Sequence, residues 1–255
     1  MNFQKKSKLQ TIEKEAFSKS SIRNIVIPNE VKIIGSSAFS DCELLQDIEI
    51  SEESKLQTIE EYAFDGTSIE SITIPSSVID LKGGWCTGTS ELIQVKVSPL
   101  NPRFKLVGDV MIIGKSSNES NNNYENLNFC FQSIKKITIP NFIKCIDSLA
   151  FAKSKIVNIK IPNNVRIIGK YAFYECRQLQ HIEFSKESKL EIIEKDAFTR
   201  TPIKSITIPN NVKVIGLYAF SFCNKLRSIE ISKESKLQMI ENCAFEGSSI
   251  ENITI

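Results

Sequence analysis

The fold is decided by a stretch near the N-terminus, Ile25-Val26-Ile27-Pro28-Asn29-Glu30-Val31-Lys32-Ile33-Ile34-Gly35-Ser36-Ser37-Ala38-Phe39-Ser40-Asp41-Cys42. It opens with three β-branched apolar residues, and Ile25 and Ile27 stand at alternate positions, as in a short β-strand with one buried face. Pro28 ends that strand, and apolar residues return at Val31, Ile34 and Phe39. The stretch therefore predicts a unit made of a strand, a turn and a second apolar ridge.

This unit recurs along the chain. A shift of 47 residues places Ile159 to Phe173 on Ile206 to Phe220, and Ala-Phe pairs mark the copies at alternating steps of 22 and 25 residues within each half. The phenylalanines of these pairs are Phe17, Phe39, Phe64, Phe151, Phe173, Phe198, Phe220 and Phe245. A fixed period of this length is typical of a solenoid.

No single unit can stabilise itself. Roughly six apolar side chains contribute about 1.5 to 3 kcal/mol each when buried, whereas ordering roughly two dozen residues costs about 1 to 2 kcal/mol per residue. Neighbouring units must therefore stack. Units begin at ten strand cores: Ile25, Ile48, Ile72, Val95, Ile137, Ile159, Ile182, Ile206, Ile229 and Ile253.

These patterns together predict a β-rich solenoid of the α/β type. It should have about ten rungs, where a rung is one repeat of the chain. An apolar residue three positions before each strand core gives Leu/Ile-x-x-Ile-x-Ile, the strand pattern of leucine-rich repeats. We expect a parallel sheet on the concave face and short helical or 3-10 turns on the convex face.

The step from Val95 to Ile137 is 42 residues, close to twice the usual step. We predict a single domain over 1–255 that is interrupted by an inserted hairpin over 98–131. Its loop, Ser116 to Asn126, is rich in asparagine and serine. Trp85 stands where other rungs have a small residue, and we expect it to pack beneath this hairpin.

The repeated units resemble those of BspA-like leucine-rich-repeat proteins, whose mark is an Ile-Pro strand end followed by Ile-Gly and Ala-Phe-x-x-Cys. The resemblance covers nearly the whole chain. It implies a module that binds macromolecules without catalysis, in cell-surface recognition or adhesion, with a protein or extracellular-matrix ligand. Because such repeats serve many ligands, it specifies the fold better than the function.

An alternative function is an intracellular scaffold for protein–protein interaction, in the cytoplasm. Met1 to Glu13 contains no apolar run of the kind that directs secretion, and no stretch of the chain is apolar enough to insert into a membrane. Both chain ends lie within the repeat pattern, so we also expect either a fragment of a longer protein or a partner at the exposed edge.

Residues that support catalysis are scarce. There is one histidine, His181, at a strand position expected to face solvent, and no glycine-rich phosphate loop or Cys-x-x-Cys motif. We expect no cofactor, no metal site and no enzyme activity. Lysine plus arginine number 32 against 30 aspartate plus glutamate, so the overall charge favours neither nucleic acid nor membrane partners.

Three of the seven cysteines, Cys42, Cys176 and Cys223, occupy the same repeat position, where other rungs have serine or threonine. The slot should hold a small buried side chain. Cys176 and Cys223 are separated by a whole rung, roughly 10 Å at about 4.8 Å per strand step, which is beyond disulfide reach. A bridge between Cys86 and Cys130 stays open.

The residues between the apolar positions of each strand should form a polar binding face. We expect the stretch between Ile137 and Ile231 to carry the partner contacts, because its five strands are predicted to be uninterrupted. The candidate contact residues are Lys160, Glu183, Lys204, Thr207, Arg227 and Glu230.

Limited proteolysis tests the predicted loop. A nonspecific protease should cut first between Ser116 and Asn126, because that segment lacks apolar anchors. Mass spectrometry of the earliest fragments identifies the cut, and first cuts inside a repeat would contradict the hairpin.

Overall fold

The structure is a computed structural model that describes residues 7–115 and 123–254, and it divides into two compact units. The first unit comprises residues 1–124 and 128–133, and the second comprises 125–127 and 134–255. Both are built from parallel stacked strands, and the described residues form no helix. Each unit is thus a β-solenoid, and the chain has about ten rungs in all.

The strands up to the middle of the chain are β1 (Thr11–Ile12), β2 (Asn24–Val26), β3 (Ile33–Ile34), β4 (Asp47–Glu49), β5 (Thr58–Ile59), β6 (Ser71–Ile74), β7 (Asp80–Leu81), β8 (Gln94–Val97), β9 (Phe104–Val107), β10 (Met111–Lys115) and β11 (Tyr124–Cys130). The later strands are β12 (Cys145–Ile146), β13 (Asn158–Ile161), β14 (Ile167–Ile168), β15 (His181–Phe184), β16 (Ile192–Ile193), β17 (Ser205–Ile208), β18 (Val214–Ile215), β19 (Ser228–Ile231), β20 (Met239–Ile240) and β21 (Asn252–Thr254).

Each regular rung contributes one long strand of three or four residues and one short strand of two. In the first unit the short strands pair in the order β1-β3-β5-β7, and the long strands pair as β2-β4 and β6-β8. In the second unit the short strands run β12-β14-β16-β18-β20, and the long strands form β13-β15 and β17-β19-β21. We call these sets the short-strand and long-strand ladders.

The long strands lie where the sequence places the strand cores, with one exception. Ile137 belongs to no strand, although Ile139, two residues later, is buried. The segment before it in the chain, β11, pairs through Asn126 and Leu127 with the short strand β12. Within its unit, Ile137 therefore has no preceding long strand to pair with. The short-strand ladder was not predicted as strands, and Ile-Gly and Ile-Glu pairs are its signal in the sequence.

Stacked phenylalanine rings fill the core beside the ladders. Phe173 is fully buried, with its ring 4.9 Å from that of Phe151 and 5.1 Å from that of Phe198, and nearly parallel to both. In the first unit Phe17, Phe39 and Phe64 form a stack of the same kind, with ring centres 5.2 and 5.3 Å apart. Aromatic pairs at such separations add to the energy of apolar burial.

The predicted helical or 3-10 turns are wrong: consecutive β-turns replace them. The amide of Phe173 donates to the carbonyl of Ala197 in the next rung at 2.8 Å, whereas the preceding amide, of Ala172, donates to Gly169 within its own turn at 3.1 Å. Alternate amides are thus committed to the neighbouring rung. A continuous helix would need every amide for bonds along its own segment, so it cannot form here.

Trp85 is buried, as predicted, between the rings of Phe64 at 6.4 Å and Phe129 of β11 at 5.4 Å. It occupies the small-residue position, because Phe64 donates its amide to the Trp85 carbonyl. The segment near it contains the antiparallel pair β9–β10. That residues 98–131 interrupt one domain stays a prediction, and most of the predicted loop, residues 116–122, lies outside the described residues.

Phe173→Ala tests the ring stack. Removing a fully buried ring that contacts rings on both sides should lower the free energy of unfolding by about 3 to 5 kcal/mol. Chemical denaturation measures the change, and Lys170→Ala, an exposed neighbour in the same rung, should change it by less than about 0.5 kcal/mol. A loss near 1 kcal/mol for Phe173→Ala would contradict the assignment of rungs.

Candidate binding surface

The long strands of the second unit present alternate side chains to solvent. In β17 the residues Ile206 and Ile208 are buried while Ser205 and Thr207 are exposed, as the two-residue period of a strand requires. The parallel register then sets the exposed residues of neighbouring strands side by side. Each long-strand pair therefore carries a short row of polar side chains on its outer face.

Four of the six predicted contact residues pair with one another in this way. Lys160 lies opposite Glu183 in the register of β13 and β15, and its Nζ is 2.6 Å from Glu183 Oε1. Thr207 lies opposite Glu230, and its hydroxyl donates to Glu230 Oε2 at 2.9 Å. All four side chains are exposed. The rows are thus electrostatically matched along the ladder.

The other two predicted residues, Lys204 and Arg227, are also exposed and precede β17 and β19 by one residue. The amide of Arg227 donates to the carbonyl of Lys204 at 2.8 Å. The guanidinium of Arg227 forms an ion pair with Glu251 at 2.5 Å. The sequence did not single out Glu251 as a contact residue, although it stands two positions before Ile253, as Lys204 and Arg227 stand two positions before Ile206 and Ile229.

The prediction of five uninterrupted strands is wrong. The strands β13 and β15 form one sheet and β17, β19 and β21 form another, and no strand pairing among the described residues joins β15 to β17. Ile182 of β15 is half-buried and Ile206 of β17 is buried, so the apolar alternation continues across the gap. Alternation specifies which side chains are buried, but not whether adjacent backbones come within hydrogen-bonding distance.

Two grooves lie along this face in the second unit, with cavity volumes of about 570 and 590 Å³. The second groove lies over the gap between β15 and β17. The residues that follow each strand were not predicted as contacts, and their signal in the sequence is the repeated Ile-Pro-Asn-Asn at 161–164 and 208–211. These residues line the grooves, and they include Asn163, Ser185, Glu187, Pro209, Asn210 and Glu234.

All seven cysteines are free thiols, Cys86 and Cys130 included, so the bridge that the sequence left open is absent. Burial raises the pKa of Cys86 and of Cys176 to about 12 and that of Cys223 to about 11. Burial, followed by the nearby carboxylate of Asp147, also raises the pKa of Cys145. At neutral pH these four thiols are protonated, and a protonated thiol is a poor nucleophile.

The cysteine slot requires a hydrogen-bond donor as well as small size. The thiol of Cys176 donates to the carbonyl of Phe151 in the preceding rung at 3.0 Å, and Cys223 donates to Phe198 at 3.2 Å. In another rung the hydroxyl of Thr89 donates to Phe64 at 3.0 Å. Small size was predicted, but the hydrogen bond was missed. Its signal in the sequence is that serine, threonine and cysteine, which share this slot, all donate.

The single histidine and the acidic side chains were the remaining candidates for a catalytic or metal site. His181, the single histidine, is exposed as predicted. Within residues 7–115 and 123–254, no three histidine, cysteine or acidic side chains gather where they could bind a metal ion. The same residues form no helix of the length and apolar character needed to cross a membrane.

The family model for the BspA type leucine rich repeat region matches the chain in six copies, over residues 1–99, 118–206 and 191–255. The chain belongs to this family. No curated protein matches this BspA-type chain.

Two solved structures share the BspA-type chain's fold at 26% sequence identity each. The pneumococcal vaccine antigen PcpA aligns with a TM-score of 0.79 over 98% of the chain, and a leucine rich cell surface protein from Faecalibacterium prausnitzii aligns with 0.75 over 95%. A leucine-rich repeat protein from Eubacterium ventriosum, at 24% identity and a TM-score of 0.56 over 95% of the chain and 81% of its own, shows the fold alone. The chain spans 62% of the length of each of the first two structures.

Thiol labelling of the native BspA-type protein tests the cysteine assignments. A water-soluble disulfide reagent near pH 8 should modify Cys243, the exposed thiol, quickly. The buried thiols should react only after unfolding, because they are inaccessible and a protonated thiol does not attack. Absorbance counts the thiols, and Cys243→Ser should remove the fast phase. Rapid modification of several thiols in the native protein would contradict the burial of these cysteines.

Proposed function

We propose that this chain is a non-catalytic recognition module that binds a protein or matrix ligand at a cell surface, in recognition or adhesion. Membership of the BspA-type family supports a binding role. The description of one structural relative as a vaccine antigen, and of another as a cell surface protein, supports the location.

The observation that carries this proposal is the polar face of the long-strand ladder in the second unit. Lys160, Glu183, Thr207 and Glu230 project from rigid paired strands, and two grooves run beside them. The four residues are polar, whereas interface energy usually concentrates in Trp, Tyr and Arg. Of those three residue types, the predicted contacts include one arginine, Arg227, which lies beside the ladder. We therefore expect weak contact per rung, strengthened when several rungs engage one ligand.

A cytoplasmic scaffold is the second candidate. The observation in its favour is seven free thiols, five of them fully buried, because exported proteins usually oxidise their cysteines into disulfides. Labelling of intact source cells with a reagent that does not cross membranes separates the two. Labelled protein supports the surface, and labelling only after lysis supports the scaffold.

A charge swap tests the ladder face. The double variant Lys160→Glu with Glu183→Lys keeps the ion pair but exchanges the positions of its positive and negative charges. A ligand that contacts this face should therefore bind at least about tenfold more weakly. Stability should change by less than about 1 kcal/mol, because exposed ion pairs contribute little. Surface plasmon resonance against immobilised collagen, laminin and fibronectin measures binding.

The matched control is the same swap in the ion pair of Lys55 with Glu30, which are 2.8 Å apart in the first unit and outside the long strands. The control should bind as wild type. If the Lys160 and Glu183 swap binds as wild type too, the binding face lies elsewhere.

A further inference from the structure

A third groove in the second unit lies beside the starts of the short strands, and Lys189 lines both this groove and one of the ladder-face grooves. Arg166, Glu191 and Lys213 each directly precede a short strand. With them, Lys189, Asn211 and Lys236 complete the lining, and the cavity volume is about 220 Å³. Four of these six side chains are cations and one is an anion.

The single carboxylate is already engaged twice. Glu191 Oε1 accepts from Arg166 at 3.0 Å, and Oε2 accepts from Lys213 at 2.7 Å. The hydrogen bond from Lys213 and its positive charge lower the pKa of Glu191, so the carboxylate stays ionised. The charges of these three side chains therefore sum to one positive charge.

The two other cations meet neutral partners. Lys189 Nζ donates to the side-chain oxygen of Asn164 at 2.9 Å, and Lys236 Nζ donates to that of Asn211 at 2.9 Å. No ion pair of either lysine occurs among the described residues. Glu187 and Glu234, two residues before these lysines in the chain, accept hydrogen bonds from the side-chain amides of Asn163 and Asn210 instead. The groove thus keeps about three uncompensated positive charges.

The first unit contains the same lysine with its charge neutralised. Lys55 stands at the repeat position of Lys189 and Lys236, and its partner is the carboxylate of Glu30 at 2.8 Å. Glu30 stands where the second unit has Asn164 and Asn211, in Ile-Pro-Asn-Glu against Ile-Pro-Asn-Asn. One position in the repeat therefore decides whether the lysine is paired with an acid or left with an amide.

From this geometry we infer that the groove binds a linear polyanion, a sulfated polysaccharide. Lys189 and Lys236 are two rungs apart, about 10 Å at about 4.8 Å per strand step, and so are Arg166 and Lys213. A polymer with strong-acid groups at regular intervals can meet such a row one group after another. Guanidinium and ammonium groups form charge-assisted hydrogen bonds with anionic oxygens, and these are stronger than neutral ones.

Sulfated polysaccharide fits better than nucleic acid or a membrane surface. No aromatic side chain lines the groove, whereas single-stranded nucleic acids are held largely by base stacking on aromatic rings. The cations line a concave groove, which a flat headgroup layer contacts poorly.

The experiment compares an acidic and a neutral substitution of equal length at the two asparagine partners. In Asn164→Glu with Asn211→Glu, each lysine acquires the acidic partner that Lys55 already has, whereas Asn164→Gln with Asn211→Gln adds the same length without charge. Fluorescence anisotropy with a labelled heparin oligosaccharide at about 0.05 M and about 0.5 M salt measures affinity. Circular dichroism checks that both variants fold.

We expect wild type and the Gln variant to bind heparin at low salt and to release it at high salt. The Glu variant should bind at least about tenfold more weakly. Equal loss in both variants, equal binding by both, or no preference for heparin over desulfated heparin would each overturn the inference. Tighter binding of single-stranded DNA or of phosphatidylserine vesicles would also overturn it. Thr207→Val removes a hydrogen bond on the ladder face without changing charge and lies outside the linings that contain Lys189, so it should leave heparin binding unchanged and separates this site from the ladder face.

Discussion

The structure depends on the division of backbone amides between a rung and its neighbour. At Phe173 the amide donates outward to the next rung, and at Ala172 it donates inward to the same turn. Such alternation forces a left-handed backbone at fixed places, including Tyr171 at φ 58° and Glu175 at φ 53°. This conformation costs energy for residues with side chains. The rungs stay stable because each one bonds to the next over the same residues.

This close backbone contact explains which residues the repeat permits at the end of each short strand. A Cβ at Gly169 would lie 2.8 Å from the amide nitrogen of Ser148 in the preceding rung, so a side chain cannot be accommodated without moving that backbone. The next rung has Glu194 at the corresponding position, and its carboxylate accepts from the amide of Lys170. Glycine is needed where the preceding backbone comes too close for a side chain, and glutamate supplies a hydrogen-bond acceptor in the next rung. Two kinds of rung therefore alternate, and together they make the 47-residue period.

The sequence predicts what burial dictates and misses what backbone geometry dictates. Ile206 and Phe173 are buried as the periodicity requires, because apolar spacing reports directly on burial. The gap between β15 and β17 and the missing strand at Ile137 are not visible in the sequence, since apolar spacing continues through both. The helical turns were expected because turn residues with apolar neighbours are compatible with several backbone conformations. Hydrogen bonds to the neighbouring rung decide among these conformations.

The candidate sites follow the same distinction. Exposed ladder residues such as Lys160 could be named from alternation alone, but their pairing with one another could not, because it depends on the register of separate rungs. The exchange of Glu30 for Asn164 is plain in the sequence, yet its meaning appears only when Lys55 and Lys189 are seen beside these residues. Since the backbone and the ring stack fix the rungs, outer side chains can change without disturbing the core. The same repeat position therefore holds a lysine neutralised by Glu30 in the first unit and a lysine beside the uncharged Asn164 in the second. A single residue of the repeat accounts for this difference in charge.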